Sequence, residues 1–155
     1  MKLKVTWHKP VLLEKAKDAV LIYSLSRDKI PEGAGVYIFA RRFAKDYEAL
    51  YVGQSEKLRS RIQSHLNNLS LMKYLENAKC GKRFVIIGEI TYSKKHIKKA
   101  LKTLERALIR NFLAEGHNLA NRLGVKIKRH EITSEGIFRK SFIPSTIYLE
   151  KQKGE

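Results

Sequence analysis

The chain has 155 residues, 43% of them hydrophobic, and its 32 Lys and Arg outnumber 15 Asp and Glu to give a formal net charge of +17. This length and composition predict one folded domain, residues 1–155, and exclude a long disordered segment. The charge indicates a polyanionic partner, the apolar runs are too short to insert into a membrane, and the lone Cys80 excludes an intrachain disulfide or a cysteine-rich zinc site.

The first 24 residues do not indicate a single type of secondary structure. Residues 3–13 have strand-like pieces around Trp7 and Pro10, whereas residues 14–24 fit either a short helix or a helix that runs into a strand. The chain becomes polar again at residues 6–9, so the apolar core of a secretory signal is missing. An intracellular location is therefore expected.

The next segment is predicted to be a β-hairpin. Residues 35–39 and 49–52 are rich in β-branched and aromatic side chains, and a long charged loop is expected between them. Side chains at alternate strand positions share a face, so a register with Tyr37 opposite Tyr51 would place the two phenols side by side. Taken singly, each tyrosine is typical of a strand that faces a core.

Two amphipathic helices and one buried strand are predicted beyond the hairpin. Apolar residues recur at helical spacing over residues 56–69 and again over residues 93–114. Between the helices, residues 84–87 form a continuous apolar run that suits a strand covered on both faces. Short strands with interleaved basic residues are expected at 124–132 and 145–150, and this order of elements predicts an α+β fold.

Glu105 is the anomaly of the second helix. At about 100° per residue it falls inside the apolar arc of that helix, so its carboxylate points toward the core. An ionised carboxylate there needs a cation, a hydrogen-bond network or a cleft at the edge of the core. A bound metal ion and an internal ion pair with a Lys or Arg are both open at this point.

Several other polar residues indicate a functional site only when they are considered together. Arg61 and His65 are four residues apart on the first helix and lie one above the other at the edge of its apolar stripe. The lysine-rich start of the second helix is either a solvated surface or a source of phosphate contacts. Contacts with nucleic acid are also expected of Arg41, Arg42, Lys57, Lys126, Lys128 and Arg129.

The chain resembles the GIY-YIG nuclease family in five elements that follow the family's order: Gly35-Val36-Tyr37, Tyr51-Val52-Gly53, Arg61, Glu105 and Asn118. Three-residue pieces are common by chance, but five elements in order argue against coincidence. The resemblance implies a catalytic core at about residues 33–121, with an N-terminal extension at 1–32 and a basic C-terminal extension at 122–155. The implied fold is a small three-stranded antiparallel sheet flanked by helices.

The resemblance also implies a catalytic role for each residue of the site. Glu105 would hold one divalent metal, Mg²⁺ or Mn²⁺, which contacts the scissile phosphate. Tyr37 would orient or deprotonate the attacking water, and Tyr51 would help to position phosphate or water. Arg61, together with the metal, would lower the pKa of the phenol and stabilise the charge of the transition state.

Further roles follow for His65 and for an asparagine after the second helix. His65 would contact the phosphate or relay a proton. Asn118 would brace the site by hydrogen bonding, although Asn121 is close enough to take that role. Gln54 stands where some family members have a basic residue, so the cation is absent or comes from a neighbour such as Lys57.

The implied activity is that of a metal-dependent DNA endonuclease in which water attacks a phosphodiester in line. DNA is the expected partner, RNA remains open, and a homodimer would allow both strands to be cut. One alternative is a non-catalytic nucleic-acid-binding module of the same fold, against which Glu105 argues because a carboxylate repels phosphate unless a metal stands between them. Another is a basic accessory protein in which Glu105 belongs to a structural ion pair.

Overall fold

The computed structural model of the chain describes residues 1–17, 20–123, 128–137 and 139–151. Its elements run in the order β1 (Val5–Trp7), β2 (Val11–Lys15), β3 (Tyr23–Ser24), β4 (Gly35–Phe43), β5 (Asp46–Ser55), α1 (Leu58–Leu66), α2 (Leu69–Glu76), β6 (Lys82–Ile90), α3 (Ile97–Ala114), β7 (Lys128–Thr133) and β8 (Thr146–Lys151). Short 3₁₀ helices occupy Arg27–Lys29 and Ala120–Leu123. Lys126 and the side chains of Lys128 and Arg129, three of the residues expected to contact phosphate, lie outside the described residues.

A six-stranded antiparallel sheet forms the centre of the described structure. Its order is β3-β2-β6-β4-β5, and β1 pairs with β6 next to β2 on the same edge. Strands β7 and β8 pair with each other in a separate two-stranded sheet. The mixture of helices with antiparallel strands confirms the predicted α+β class.

The predicted number of three strands in the sheet is wrong. Strands β6, β4 and β5 match the expected three, but β1, β2 and β3 extend the sheet beyond β6. They add there because β4 pairs with only one edge of β6, and the backbone groups of the other edge would otherwise lack partners. The helix weighed for residues 14–24 is not observed among the described residues of that segment, which belong to β2, β3 and the turn between them.

The β4–β5 hairpin differs from its prediction in loop and register. Phe43 pairs with Asp46, so a two-residue turn replaces the expected long loop, and Ala44 in that turn has a φ of 51°. A bulge then shifts the register between Phe39 and Ala40. Tyr37 consequently pairs with Gly53, and the predicted pairing of Tyr37 with Tyr51 is wrong.

The first predicted helix, residues 56–69, corresponds to α1, and a second helix that was not predicted, α2, follows it. Helix α1 ends at Leu66, and α2 begins after Asn68, whose side chain accepts a hydrogen bond from the backbone N–H of Leu71 at 3.1 Å. This cap starts a new helix direction within a continuous apolar pattern. The break lets α1 and α2 cover neighbouring parts of the sheet.

The sheet is covered on both faces. On one face α1 and α2 pack over a core that includes Tyr37, Phe39, Leu58, Ile62, Leu75, Val85 and Ile87. On the other face Leu113 of α3 and Leu119, which follows the helix, share a core with Ile38 and Val52 of the sheet. Alternate residues of β4 therefore serve opposite cores, as the pleat of a strand dictates. No helix among the described residues has the length and apolarity needed to cross a bilayer.

Candidate active site

Two tyrosines and a histidine from three different elements meet on the α1 face of the sheet. Tyr37 on β4 and Tyr51 on β5 stack at 27° with ring centroids 6.3 Å apart, although they are diagonal rather than paired neighbours. The ring of His65 on α1 lies 5.4 Å from that of Tyr37 and 5.3 Å from that of Tyr51. The two phenols therefore lie close together, as predicted, although the register on which that prediction was based is wrong.

Helix α1 is held in place at the beginning of its first turn. The backbone N–H of Leu58 donates to the Gly33 carbonyl at 3.0 Å, and the side chains of Leu58 and Ile62 are fully buried against the sheet. This anchor turns the Arg61–His65 stripe toward β4 and β5. His65 is buried, whereas Arg61, one turn earlier, is exposed.

Tyr37 and His65 share a short hydrogen bond. Tyr37 Oη and His65 Nε2 are 2.5 Å apart, and both side chains are buried. Burial, aided by the charge of Arg61, lowers the pKa of His65 to about 4, so the ring is neutral at neutral pH. A neutral imidazole carries one N–H, so in the tautomer with its proton on Nδ1, His65 Nε2 accepts the hydrogen bond that Tyr37 Oη donates.

The pKa of Tyr37 lies above its usual value in the metal-free protein. Burial raises it first and Tyr51 raises it further, and the hydrogen bond and charge of Arg61 oppose this only in part. Burial likewise raises the pKa of Tyr51. Arg61 alone therefore does not make either phenol a stronger acid, because the loss of hydration outweighs the attraction of one exposed guanidinium.

Gly53 also belongs to this site, although the sequence analysis named it only as the last residue of the Tyr51-Val52-Gly53 motif. A Cβ atom built on it would lie 2.3 Å from Oη of Tyr37 and 2.4 Å from its Cζ. Tyr37 is 1% exposed and cannot swing aside. Only glycine at this position lets the Tyr37 ring lie flat across β5, which is the physical meaning of the third residue in Tyr51-Val52-Gly53.

Glu105 reaches the same cluster from α3. Its side chain is half-buried, and its charge raises the pKa of both Tyr37 and Tyr51. Burial raises the pKa of Glu105 itself, while Lys102 and then Arg61 lower it. We call Tyr37, Tyr51 and His65 the tyrosine cluster. Helix α3, which covers the opposite face of the sheet, thus places the charge of Glu105 where it acts on both tyrosines of this cluster.

The carboxylate of Glu105 has the chemistry of a divalent-metal ligand. It forms no hydrogen bond or ion pair with any residue that the structure describes, so the structural ion pair considered from the sequence is not found there. Within the same residues, no three His, Cys, Asp or Glu side chains gather into a metal-binding group. One hard carboxylate with water in the remaining positions fits Mg²⁺, which keeps most of its waters in proteins.

Asn121 and Asn118 occupy different environments. The side chain of Asn121 accepts a hydrogen bond from Val52 N at 2.8 Å and donates one to Val52 O at 2.7 Å, next to Tyr51. Asn118 is exposed, and its backbone carbonyl accepts a hydrogen bond from Tyr74 Oη at 2.7 Å. Of the two asparagines, Asn121, the alternative that the sequence had left open, is therefore the one whose side chain is hydrogen-bonded to β5.

Replacing Asn121 with alanine is expected to lower the free energy of unfolding by about 1–3 kcal/mol, because it leaves the buried N–H and C=O of Val52 without partners. Asn118→Ala, its matched control, removes no side-chain hydrogen bond to a described residue and should change stability by less than about 0.5 kcal/mol. Urea denaturation of the two variants measures the difference. Equal losses would show that Asn121 does not brace the strand.

The low pKa of His65 predicts a pH-dependent stability. Between pH 6.5 and about 4 the unfolded chain binds a proton at this residue that the folded chain does not, so the free energy of unfolding falls as the pH falls. His65→Gln should flatten this decline, whereas the matched change at the exposed His130 should leave it intact. Denaturation midpoints across this pH range provide the measurement, and identical profiles for the two variants would contradict the burial argument.

The predicted phosphate-binding residues near the hairpin differ in exposure. Arg41 is buried, and its guanidinium contacts Glu48 at 2.6 Å, the Cys80 carbonyl at 2.8 Å and the face of the Phe43 ring. Arg42 and Lys57 are exposed. Arg41 is therefore engaged within the protein and does not form part of the nucleic-acid interface considered below.

A comparison with protein families finds one model that accounts for most of this arrangement. The model described as the GIY-YIG catalytic domain matches residues 33–121, more than half of the chain. The matched segment begins before β4 and ends at Asn121, so it contains each residue of the tyrosine cluster together with Glu105. No curated protein and no solved structure matches the chain.

Proposed function

The chain belongs to the GIY-YIG catalytic-domain family of nucleases, and we propose that it is a metal-dependent DNA endonuclease that hydrolyses phosphodiester bonds at the cluster of Tyr37, Tyr51, Arg61, His65 and Glu105. The observation that carries this proposal is the half-buried carboxylate of Glu105, whose charge acts on two phenols and is stabilised by Lys102 and Arg61 but which forms no hydrogen bond or close ion pair with the described residues. A structural role would favour a partner for that charge, whereas a catalytic role favours a position open to a metal ion and phosphate.

Glu105 would hold the divalent metal, Mg²⁺ or Mn²⁺, by its carboxylate oxygens. When bound, the ion would supply Lewis-acid polarisation of the phosphate and neutralise part of its charge. Glu105 would also become fully ionised, because a cation stabilises its charged form against the effect of burial. This role is consistent with a raised pKa in the metal-free protein.

Tyr37 and His65 would move the proton of the attacking water. With the proton of neutral His65 on Nδ1, Tyr37 Oη donates to His65 Nε2 across the 2.5 Å contact, and a lone pair of the phenol oxygen can accept a proton from water. The phenol can therefore take one proton as it passes another to His65 and need not exist as a phenolate. This relay suits a phenol whose pKa is raised.

Arg61 and Tyr51 would act on the phosphate. Arg61 is exposed at the open side of the cluster, where its guanidinium can pair with phosphate oxygens as negative charge grows in the transition state. Half-buried Tyr51 would donate a hydrogen bond to phosphate or orient the water. Exposed Arg42 and Lys57 would contact phosphates farther along the substrate, and cleavage of both strands would need two chains or two encounters.

The test is nicking and linearisation of plasmid DNA in Mg²⁺ or Mn²⁺, with a chelator control. The Glu105→Ala variant, purified in the same way, controls for contaminating nucleases. Metal-dependent cutting by the wild-type chain alone supports the proposal. No cutting of plasmid, branched or single-stranded DNA by either chain would reject it.

A non-catalytic nucleic-acid-binding module is the second candidate. The charge of +17 favours it as much as it favours a nuclease. Glu105 does not, since a carboxylate facing a phosphate costs affinity unless a cation separates them. DNA binding that is equal in wild-type and Glu105→Ala chains, without cutting by either, is the result expected of such a module.

A further inference from the structure

A basic groove lies beside the candidate active site. On one side it is lined by Gln54 at the end of β5 and by Glu56 before α1, and on the other by Lys98, Lys99, Lys102 and Arg106 of α3. We call this surface the α3 groove. Its three lysines belong to the lysine-rich start of the helix, which from the sequence could be either a solvated surface or a phosphate site, and Arg106 lies one turn beyond Lys102.

The α3 groove lies next to Glu105 along helix α3. Lys102 lines the groove and lies three residues before Glu105 on α3, so the two side chains are neighbours on the helix surface. Gln54, on the opposite wall, directly follows Gly53, across which the Tyr37 ring lies. A nucleic-acid strand that leaves the cluster along α3 therefore enters the groove.

Few carboxylates neutralise the cations of the groove. Lys98 lies 3.9 Å from Glu56, and the two side chains are 84% and 46% exposed, so the pair is weak. Lys99, Lys102 and Arg106 form no ion pair with the residues that the structure describes. The groove thus carries a surplus of positive charge available to an outside anion.

The spacing of the cations fits a repeating anion. Lys98, Lys102 and Arg106 are four residues apart in turn, which places successive cations about 6 Å apart along the axis of α3. One small anion would use one or two of them, whereas a nucleic-acid backbone can contact the whole row. Gln54 on the facing wall is neutral and does not oppose this charge.

We propose that the α3 groove binds consecutive backbone phosphates of the strand that is cut, on one side of the scissile phosphate. This inference rests on the proposed nuclease function, because it treats the cluster around Glu105 as the place of cleavage. Some family members have a basic residue at the position of Gln54. In this chain the cations of α3, across the groove from Gln54, would take its place. Glu56 competes with the phosphates for Lys98 and weakens binding.

The experiment measures binding of a fluorescently labelled DNA duplex by anisotropy, in chelator so that no strand is cut, over a range of salt concentrations. The groove variant combines Lys98→Gln, Lys99→Gln and Arg106→Gln. Lys102 is kept because it lies one helical turn from Glu105, the proposed metal ligand. The matched control removes the same charge from the exposed Lys29, Lys73 and Lys79, which lie outside the groove.

The groove variant is expected to bind at least about tenfold more weakly, and the slope of log K against log salt should become shallower by about 0.9 for each phosphate that the variant no longer neutralises. The control variant should be affected far less. Glu56→Gln should bind more tightly than the wild type, and this single surface change tests the groove even if the triple variant does not fold. Equal reductions in affinity for the two triple variants, or no gain in Glu56→Gln, would overturn the proposal.

Measurements of DNA binding and of DNA cleavage distinguish a failure of this inference from a failure of the proposed function. Weak binding by the groove variant together with no metal-dependent cutting by the wild-type chain would keep the groove and reject the nuclease. Normal binding and cutting by the groove variant would keep the nuclease and reject the groove. Inorganic phosphate that competes with the duplex at equal concentration of phosphate groups would show a single-anion site and also overturn the proposal.

Discussion

Glu105→Gln is expected to lower the rate of metal-dependent cleavage by about 10³-fold or more, because it removes the charge that would hold the metal while it keeps the shape of the side chain. Affinity for DNA in chelator should stay the same or rise, since one negative charge has left the site. Single-turnover cleavage of a labelled duplex measures the rate. Glu115→Gln, which removes an exposed carboxylate just after α3, is the matched control and should cut at the wild-type rate.

The same substitution should increase stability at neutral pH. Burial raises the pKa of Glu105 above 4.5, so as the pH rises past 4.5 the unfolded chain loses this proton before the folded chain does, and the free energy of unfolding falls. Glutamine does not ionise, so the variant does not lose this stability as the pH rises. Its melting temperature should exceed that of the wild type at pH 7 without metal, and the difference should vanish below pH 4.5. A destabilised Glu105→Gln at pH 7 would indicate that the carboxylate has a structural partner.

Tyr37→Phe is expected to lower the cleavage rate by about 10²- to 10⁴-fold, the usual contribution of a positioned proton-transfer group. Phenylalanine keeps the ring over Gly53 but leaves neither an oxygen for the water nor a donor for His65. The buried Nε2 of His65 loses its partner, so the free energy of unfolding should also fall, by about 1–3 kcal/mol. Tyr47→Phe, at the exposed tip of the hairpin, is the control.

The pH profile distinguishes a relay from a phenolate. If Tyr37 acts by passing its proton to neutral His65, the rate should show no histidine titration near pH 6.5, because the pKa of His65 is about 4. A mechanism that needs the phenolate would instead make the rate rise steadily toward high pH, because the pKa of Tyr37 is raised. Single-turnover rates from pH 5.5 to 9 separate the two mechanisms.

Sequence reasoning was accurate where a periodic pattern carried the information. The helical spacing around Leu101 and Leu108 predicted α3, and the same geometry singled out Glu105 as a carboxylate that faces inward. The strand propensity of residues 35–39 and 49–52 predicted β4 and β5. These features depend on residues that are close together along the chain, and the sequence shows such local patterns directly.

Features that depend on contacts between distant segments could not be predicted in this way. The sequence does not show that Arg41 is buried by Glu48 and the Cys80 carbonyl, because those partners meet it only through the sheet. The choice between Asn118 and Asn121 depends on which side chain faces the open edge of β5. The register of Tyr37 depends on a bulge and a two-residue turn that propensities do not encode.

The strands at the start of the chain bear on how this catalytic segment can be transplanted. The matched segment, residues 33–121, holds the tyrosine cluster and Glu105, yet one edge of its strand β6 is paired to Val5–Trp7 and Val11–Lys15. A graft cut at residue 33 would carry a bare edge of β6 into its new host, where it would recruit strands from other copies. A chimeric nuclease built on this chain therefore needs the first 24 residues, or a substitute strand, as part of the module.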